Sequence, residues 1–125
     1  MNGYRMIALG LVLAVGGLGA CVPEVTLPED CGEGHVEREV TLANDRITPG
    51  QIEVCDGQHV VLRVTVQQAA IFHLHGYDSE APARDVVAGN VEEFVLMARA
   101  GEYPIELHLA GGEQVEAGVL TVHLP

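Results

Sequence analysis

The sequence predicts an all-β domain, a β-sandwich of about seven short strands. Apolar and polar residues alternate over runs of strand length, and turn-forming residues interrupt the chain between these runs. After residue 34 the chain shows no convincing apolar stripe with the i, i+3, i+4 spacing of an amphipathic helix. Together these three observations favour a sandwich or a small barrel built of strands.

The predicted strands follow one another closely along the chain. The clearest is 59–66, where valines and a leucine at the even-numbered positions face one way and the residues between them face the other. The run 103–109 alternates in the same way, with Tyr103 and Ile105 on its apolar side. The remaining apolar runs of strand length are 36–42, 51–54, 70–75, 91–97 and 118–124. The turn dipeptides between the runs are Pro49-Gly50, Asp56-Gly57, Gly89-Asn90, Ala100-Gly101 and Gly111-Gly112.

Residues 1–20 have the features of a signal peptide for export. A short start carrying Arg5 leads into an apolar run that ends at Cys21. The run is shorter than the roughly 20 apolar residues that span a bilayer, and several glycines interrupt it. The residues Leu18-Gly19-Ala20-Cys21 resemble a bacterial lipobox, which predicts cleavage before Cys21 and a lipid on its thiol. The alternative is an ordinary cleaved signal followed by an incidental cysteine.

A lipid on Cys21 predicts a protein anchored to a membrane of the bacterial cell envelope and facing the periplasm or the exterior. Each buried methylene of an acyl chain adds about 0.8 kcal/mol of membrane affinity, so several chains on one residue hold a soluble domain firmly. The residue after the lipid site is Val22 and not Asp. By resemblance to Gram-negative sorting rules, this favours the outer membrane if the host has two membranes.

The mature chain divides into two parts. Residues 21–34 contain the lipid site and a stretch rich in Pro, Glu and Gly, which predicts a flexible tether. Residues 35–125 are predicted to form one domain, large enough to bury a core. The whole chain has a net charge of −12 and no Lys, and removal of Arg5 makes the mature chain one unit more negative. Such a surface repels phosphate backbones, so nucleic acid is not an expected partner, whereas cations and basic protein patches stay open as partners.

Two cysteines follow the lipid site, Cys31 and Cys55. Because export places them in an oxidising compartment, we predict that they form a disulfide with each other. The alternative is that they are soft metal ligands, although neither lies in a Cys-x-x-Cys motif or a Cys/His cluster.

Three segments of the chain carry motifs of a known family. Segment 47–66 contains two predicted strands joined by a turn, segment 72–78 contains His75-Gly76-Tyr77, and segment 100–122 contains Gly101-Glu102-Tyr103. Together they resemble the cupredoxin family, particularly the branch that includes the copper domains of cytochrome c oxidase subunit II and nitrous oxide reductase. The resemblance covers residues 36–124 and implies a cupredoxin-like Greek-key β-sandwich. It also places His75 at the position of the family's first copper histidine.

The remaining copper ligands of that family are missing. Four residues after the tyrosine of the Gly-x-Tyr motif the family has a thiolate cysteine, and this chain has Leu107. The following loop, 108–114, supplies no cysteine either. Because cupredoxin redox behaviour depends on thiolate ligation, we do not expect electron transfer of the usual kind.

Three histidines remain as candidate metal ligands. His73 and His75 are two residues apart on a predicted strand, so their imidazoles leave the same face, and His108 lies next to the family's loop ligand position. Neutral imidazoles suit Cu(II) and Zn(II), and copper has the higher affinity. If the alternation of the last strand continues, His108 points away from the core, which weakens a three-histidine site. The alternative is that the histidines are structural, with ring nitrogens bonded to backbone carbonyls, or simply solvated.

The other residues of chemical interest form no recognisable site in the sequence. His35, His59 and His123 lie on separate segments and are expected at the surface, and Met97 is expected to fill the core. As the one methionine after residue 20, it argues against a thioether-rich Cu(I) carrier.

Nothing in the sequence indicates an enzyme. Glu92 and Glu93 are adjacent, so on a strand they point to opposite faces, and Ser79 has no evident base beside it. The sequence therefore favours a membrane-tethered envelope lipoprotein whose cupredoxin-like domain binds copper through histidines without electron transfer. The alternative is a metal-free domain of the same fold that binds another envelope protein.

Overall fold

The computed structural model describes residues 26–125, which contain strands and turns. In chain order the strands are β1 (His35–Ala43), β2 (Arg46–Thr48), β3 (Gln51–Cys55), β4 (His59–Val66), β5 (Ala70–Leu74), β6 (Arg84–Val86), β7 (Val91–Met97), β8 (Gly101–His108) and β9 (Gln114–His123). The all-β prediction is confirmed. The predicted count of about seven is too low, because β2 and β6 have three residues each and are too short to show a period of two.

The strands form a sandwich of two mixed sheets. One sheet has four strands in the order β2-β1-β4-β7, and the other has five in the order β3-β9-β8-β5-β6. The pairs β1/β4 and β3/β9 are parallel, whereas the other pairs are antiparallel. Because the chain crosses repeatedly from one sheet to the other, neighbouring strands come from distant parts of the sequence.

The core lies between the two sheets and takes one face of each strand. β4 shows this most clearly, since its four even-numbered residues are buried and the residues between them are half-buried or exposed. Two aromatic rings from opposite sheets meet at the centre, Phe72 of β5 and Phe94 of β7, with centroids 4.5 Å apart. This alternation sends every second side chain of each strand to the outer face of the sandwich.

The segment before β1 is fastened to the domain. Cys31 and Cys55 form the predicted disulfide, with Cα atoms 5.4 Å apart. Arg38 donates two hydrogen bonds to the carboxylate of Asp30, at 2.7 and 2.8 Å, and this pairing lowers the pKa of Asp30 below its usual value. The buried amide of Gln58 donates to the backbone carbonyl of Asp30 at 2.7 Å. These contacts attach the residues around Cys31, which lie within the predicted tether at 21–34, to the folded domain.

Several predictions concern residues outside the described part of the chain. These are the signal peptide at 1–20, the lipid on Cys21 and the first residues of the tether. Within residues 26–125, no helix is long and apolar enough to cross a membrane.

Candidate metal centre

Strand β5 and the residue that follows it bring two histidines to the outer face of the five-stranded sheet. Phe72 and Leu74 are fully buried, so the intervening His73 and the following His75 point away from the core. The backbone N–H of His75 donates to the carbonyl of Pro104 at 3.0 Å, which keeps His75 in line with the sheet just beyond the end of β5. The two imidazole rings are stacked, with centroids 4.1 Å apart.

Strand β8 adds a carboxylate and a third imidazole to the same face. The antiparallel register places Glu106 opposite His73 and His108 opposite Ile71. One carboxylate oxygen of Glu106 lies 3.3 Å from Nε2 of His75, and the other lies 2.8 Å from Nε2 of His108. Glu106 therefore sits between two imidazoles and links the end of β5 to the end of β8.

These side chains offer ligand atoms close enough for one metal ion. One nitrogen each from His73 and His75 and one oxygen of Glu106 all lie within 4.8 Å of one another. His108 stands beside this group, with its ring centroid 6.1 Å from that of His73. Its Nε2 is buried and has no well-aligned hydrogen bond, although the Glu106 oxygen is near. An unsatisfied imidazole nitrogen beside a carboxylate is well suited to a metal or to a proton shared with Glu106.

A second carboxylate orients His73. The Oδ1 atom of Asp78 lies 2.6 Å from Nε2 of His73, and the Asp78 side chain is largely exposed. A carboxylate that accepts a hydrogen bond from one ring nitrogen favours the tautomer whose other nitrogen is free to bind a metal. With Nε2 held by Asp78, Nδ1 of His73 is the nitrogen left for a ligand.

Three of these residues, His73, His75 and His108, were predicted from the sequence, whereas Glu106 and Asp78 were not. His108 does point away from the core, as the alternation predicted. Because His73 and His75 also point outward, the outward direction brings His108 towards them. Glu106 is two residues before His108 on a predicted strand, so it shares that face. The same alternation was therefore the signal that could have identified it.

The His-Gly-Tyr and Gly-x-Tyr motifs pack against each other beneath this site. Gly76 has a φ of 85°, and a Cβ added there would lie 2.6 Å from the ring of Tyr103. The rings of Tyr77 and Tyr103 pack with centroids 4.6 Å apart, and the Tyr103 hydroxyl donates to the carbonyl of Arg99 at 2.7 Å. Burial raises the pKa of Tyr77 to about 12. The His-Gly-Tyr and Gly-x-Tyr motifs thus fix the backbone that carries His75.

The copper centre of the resembled family does not fit this chain. Leu107, at the position of the thiolate, is fully buried on the core side of β8, opposite Phe72. His75 lies near Pro104, three residues along β8 from Leu107, with its side chain on the other face of the sheet. The histidine cluster and the family's thiolate position are therefore on opposite sides of one sheet. A metal held by the outer histidines occupies a different place in the fold.

The fold class is shown by solved structures. Auracyanin A, a blue copper protein from Chloroflexus aurantiacus, gives a TM-score of 0.55 at 17% identity, covering 72% of this chain and 100% of its own. A multicopper oxidase from Pseudomonas thermotolerans gives a TM-score of 0.53 at 15% identity over 72% of this chain. A heme-copper terminal oxidase gives a TM-score of 0.54 at 16% identity, covering 70% of this chain and 64% of its own. The fold is cupredoxin-like.

At these identities the likeness shows the fold alone. This chain spans 30% of the length of the multicopper oxidase. No protein-family profile matches the chain, and no curated protein matches it in sequence.

The remaining histidines are not all isolated. His123 is half-buried and lies 3.2 Å from a carboxylate oxygen of Glu53. His35 and His59, expected on separate segments, are instead brought together by the pairing of β1 with β4. Met97, expected in the core, is 47% exposed. Sequence reasoning missed these contacts because parallel pairing joins residues that are far apart in the chain.

Proposed function

We propose that this chain is a membrane-anchored envelope lipoprotein whose cupredoxin-like domain binds Cu(II) on its outer face. The ligands in this proposal are His73, His75 and Glu106, with His108 as an additional imidazole donor. The observation that carries it is the convergence of nitrogen and oxygen ligand atoms within 4.8 Å of one another.

The donor set explains why Cu(II) is the metal proposed. Imidazole and carboxylate groups bind borderline divalent ions, and Cu(II) stands at the top of the affinity order with Zn(II) below it. The surroundings also favour a cation, because the chain carries 18 acidic residues against six basic ones. Glu106 and Asp78 add negative charge directly at the site.

The proposed activity is binding and not electron transfer or catalysis. The thiolate position of the resembled family holds Leu107 in the core, so the soft ligand that tunes copper for electron transfer is replaced. A lipid on Cys21 would keep the domain at a membrane surface, which suits a stationary binder better than a diffusing electron carrier.

A copper titration tests the metal site. The full-length chain in detergent micelles is titrated with Cu(II) against a competing chelator, together with His73→Ala, His75→Ala and His123→Ala. We expect wild type and His123→Ala to bind one tight equivalent, and His73→Ala and His75→Ala to bind at least about tenfold more weakly. Equal, weak binding by all four proteins would reject the proposal. Metal content after purification without added metal gives an independent check.

A second candidate is a metal-free interaction domain. Its supporting observation is a row of exposed apolar side chains on β7, an edge strand, comprising Val91, Val95 and Met97. Exposed apolar side chains on an edge strand are typical of a surface that another protein covers. Copurification with another envelope protein in the absence of metal would favour this candidate.

The anchor has its own test. Palmitate labelling of wild type and of Cys21→Ser in a bacterial host should give label in the wild type alone. Label that persists in the variant would refute lipid attachment at Cys21.

A further inference from the structure

A second group of side chains of metal-ligand type lies at one end of the four-stranded sheet. The parallel register of β1 and β4 pairs His35 with His59, and the antiparallel register of β4 and β7 pairs His59 with Met97. The three residues therefore form one row across three neighbouring strands. Residues paired directly across a sheet project from the same face.

That face is the outer one. In β4 the neighbour of His59, Val60, is buried, and in β7 the neighbour of Met97, Leu96, is buried. His35 and Met97 are exposed and His59 is half-buried, so the row is open to solvent. It lies on the opposite side of the sandwich from the His73 cluster, because the two clusters are on the outer faces of different sheets.

The imidazoles of this row are already in contact. The Nδ1 atoms of His35 and His59 are 3.0 Å apart, and the rings are stacked with centroids 5.0 Å apart. A metal ion bound by two imidazoles at about 2.0 to 2.1 Å holds their nitrogens roughly 3 to 3.5 Å apart at ordinary coordination angles. The observed separation is that of a hydrogen bond from one imidazole to the other, and it also falls in the range for two ligands of one ion.

The thioether is within reach of the same point. The backbone N–H of Ala98 donates to the carbonyl of Gln58 at 2.8 Å, which makes His59 and Met97 a non-hydrogen-bonded pair. Such pairs have the closer Cα separation, about 4.5 Å, and their side chains lie side by side. Methionine is long and has flexible torsions, so its sulfur can turn towards the imidazoles.

The backbone around the row is well fixed. The N–H of His59 donates to the carbonyl of Gly34 at 2.9 Å, which ties the start of β4 to the segment before β1. The N–H of Met97 donates to the carboxylate of Glu80 at 2.9 Å, and this bond chiefly holds the pKa of Glu80 below its usual value. Two of the three candidate ligands therefore project from anchored strand ends.

We propose that His35, His59 and Met97 form a Cu(I) site on the outer face of the four-stranded sheet. Two imidazoles and one thioether make a softer donor set than the imidazoles and carboxylate of the His73 cluster. Thioether ligands select Cu(I), whereas carboxylates favour harder ions. The two faces of the sandwich then differ in the oxidation state of copper that they hold. This inference does not depend on the Cu(II) site, since the two sites share no residue.

The test is a Cu(I) competition titration under anaerobic conditions with ascorbate as reductant. The proteins are full-length wild type, His59→Ala, Met97→Leu and the double variant His73→Ala/His75→Ala. Met97→Leu conserves side-chain volume and removes the sulfur alone, so its fold should be preserved. Circular dichroism of each variant checks folding.

We expect Met97→Leu and His59→Ala to weaken Cu(I) binding at least tenfold and the double variant to bind as wild type does. Copper X-ray absorption of the Cu(I) protein should show a sulfur neighbour that disappears in Met97→Leu. Unchanged Cu(I) affinity in Met97→Leu, loss of Cu(I) binding in the double variant, or no Cu(I) binding by the wild type would overturn the proposal. Failure of the Cu(II) site would instead appear in the Cu(II) titration, which Met97→Leu should leave unchanged.

Discussion

Replacing Gly76 with alanine tests how the cupredoxin-like motifs support the metal cluster. Gly76 follows His75 directly and has a φ of 85°, a conformation that side-chain-bearing residues rarely adopt. The ring of Tyr103 also occupies the space that a Cβ at position 76 would need. Gly76→Ala therefore carries two separable costs, one in the backbone and one in packing.

The structure allows both costs to be estimated. Placing alanine in a left-handed conformation costs about 1 to 2 kcal/mol. The added Cβ would lie 2.6 Å and 2.9 Å from two ring carbons of Tyr103. Relieving such an overlap in a packed region typically costs about 1 to 3 kcal/mol more. Gly76→Ala should therefore lower the free energy of unfolding by about 2 to 5 kcal/mol in all.

Gly57 provides a matched control. It has a similar φ of 83°, but a Cβ there would meet no atom within 4 Å. Gly57→Ala should thus show the backbone cost alone. Urea denaturation of wild type and the two variants measures the loss of unfolding free energy in each variant. The difference between the two losses reports the cost of the contact with Tyr103.

A double-mutant comparison sharpens the result. In a Tyr103→Ala background the ring is absent, so Gly76→Ala should cost no more than Gly57→Ala does. Equal destabilisation by Gly76→Ala and Gly57→Ala in the wild-type background would refute the proposed packing of the two motifs against each other.

Further predictions concern the attachment of the N-terminal segment and the family's thiolate position. Cys31→Ala/Cys55→Ala should lower the free energy of unfolding by about 3 kcal/mol, because the disulfide closes a loop of 24 residues; no change in urea midpoint would contradict this. Arg38 lowers the pKa of Asp30 below its ordinary value of 3.8. The pairing therefore stabilises the fold at pH values above 3.8, and this contribution is lost as the pH falls through the pKa of Asp30 in the folded protein. The stability gap between wild type and Arg38→Gln should accordingly shrink on going from pH 6 towards about pH 2, and a constant gap would argue against it. Leu107→Cys should gain no intense thiolate-to-copper absorption with Cu(II), since position 107 faces the core and the histidines face outward; a blue protein would contradict the separation of the two faces.

The main strands could be predicted from the sequence because their alternation is nearly uninterrupted. The run 59–66 coincides with β4, and the run 91–97 coincides with β7. The short strands β2 and β6 were missed because three residues cannot establish a period. Their pairing with β1 and β5 depends on backbone hydrogen bonds that the sequence does not display.

The candidate sites were harder to predict than the fold. Because His73 and His75 are two residues apart, the sequence alone places them on one face of a strand. Glu106 joins them because β8 pairs with β5 in one particular register, and a shift by one residue would turn it into the core. The contact of His35 with His59 depends on a parallel pairing across 24 residues. Register between distant strands is the information that local patterns lack.

The outer cluster of His73, His75 and Glu106 is the proposed Cu(II) site. Electron paramagnetic resonance of the full-length protein with one equivalent of Cu(II) tests it most directly, with His75→Ala and His123→Ala measured alongside. We predict nitrogen couplings from coordinated imidazoles in wild type and His123→Ala, and a changed spectrum with fewer coupled nitrogens in His75→Ala. Identical spectra from all three proteins, or a wild-type spectrum of hydrated copper, would contradict the claim.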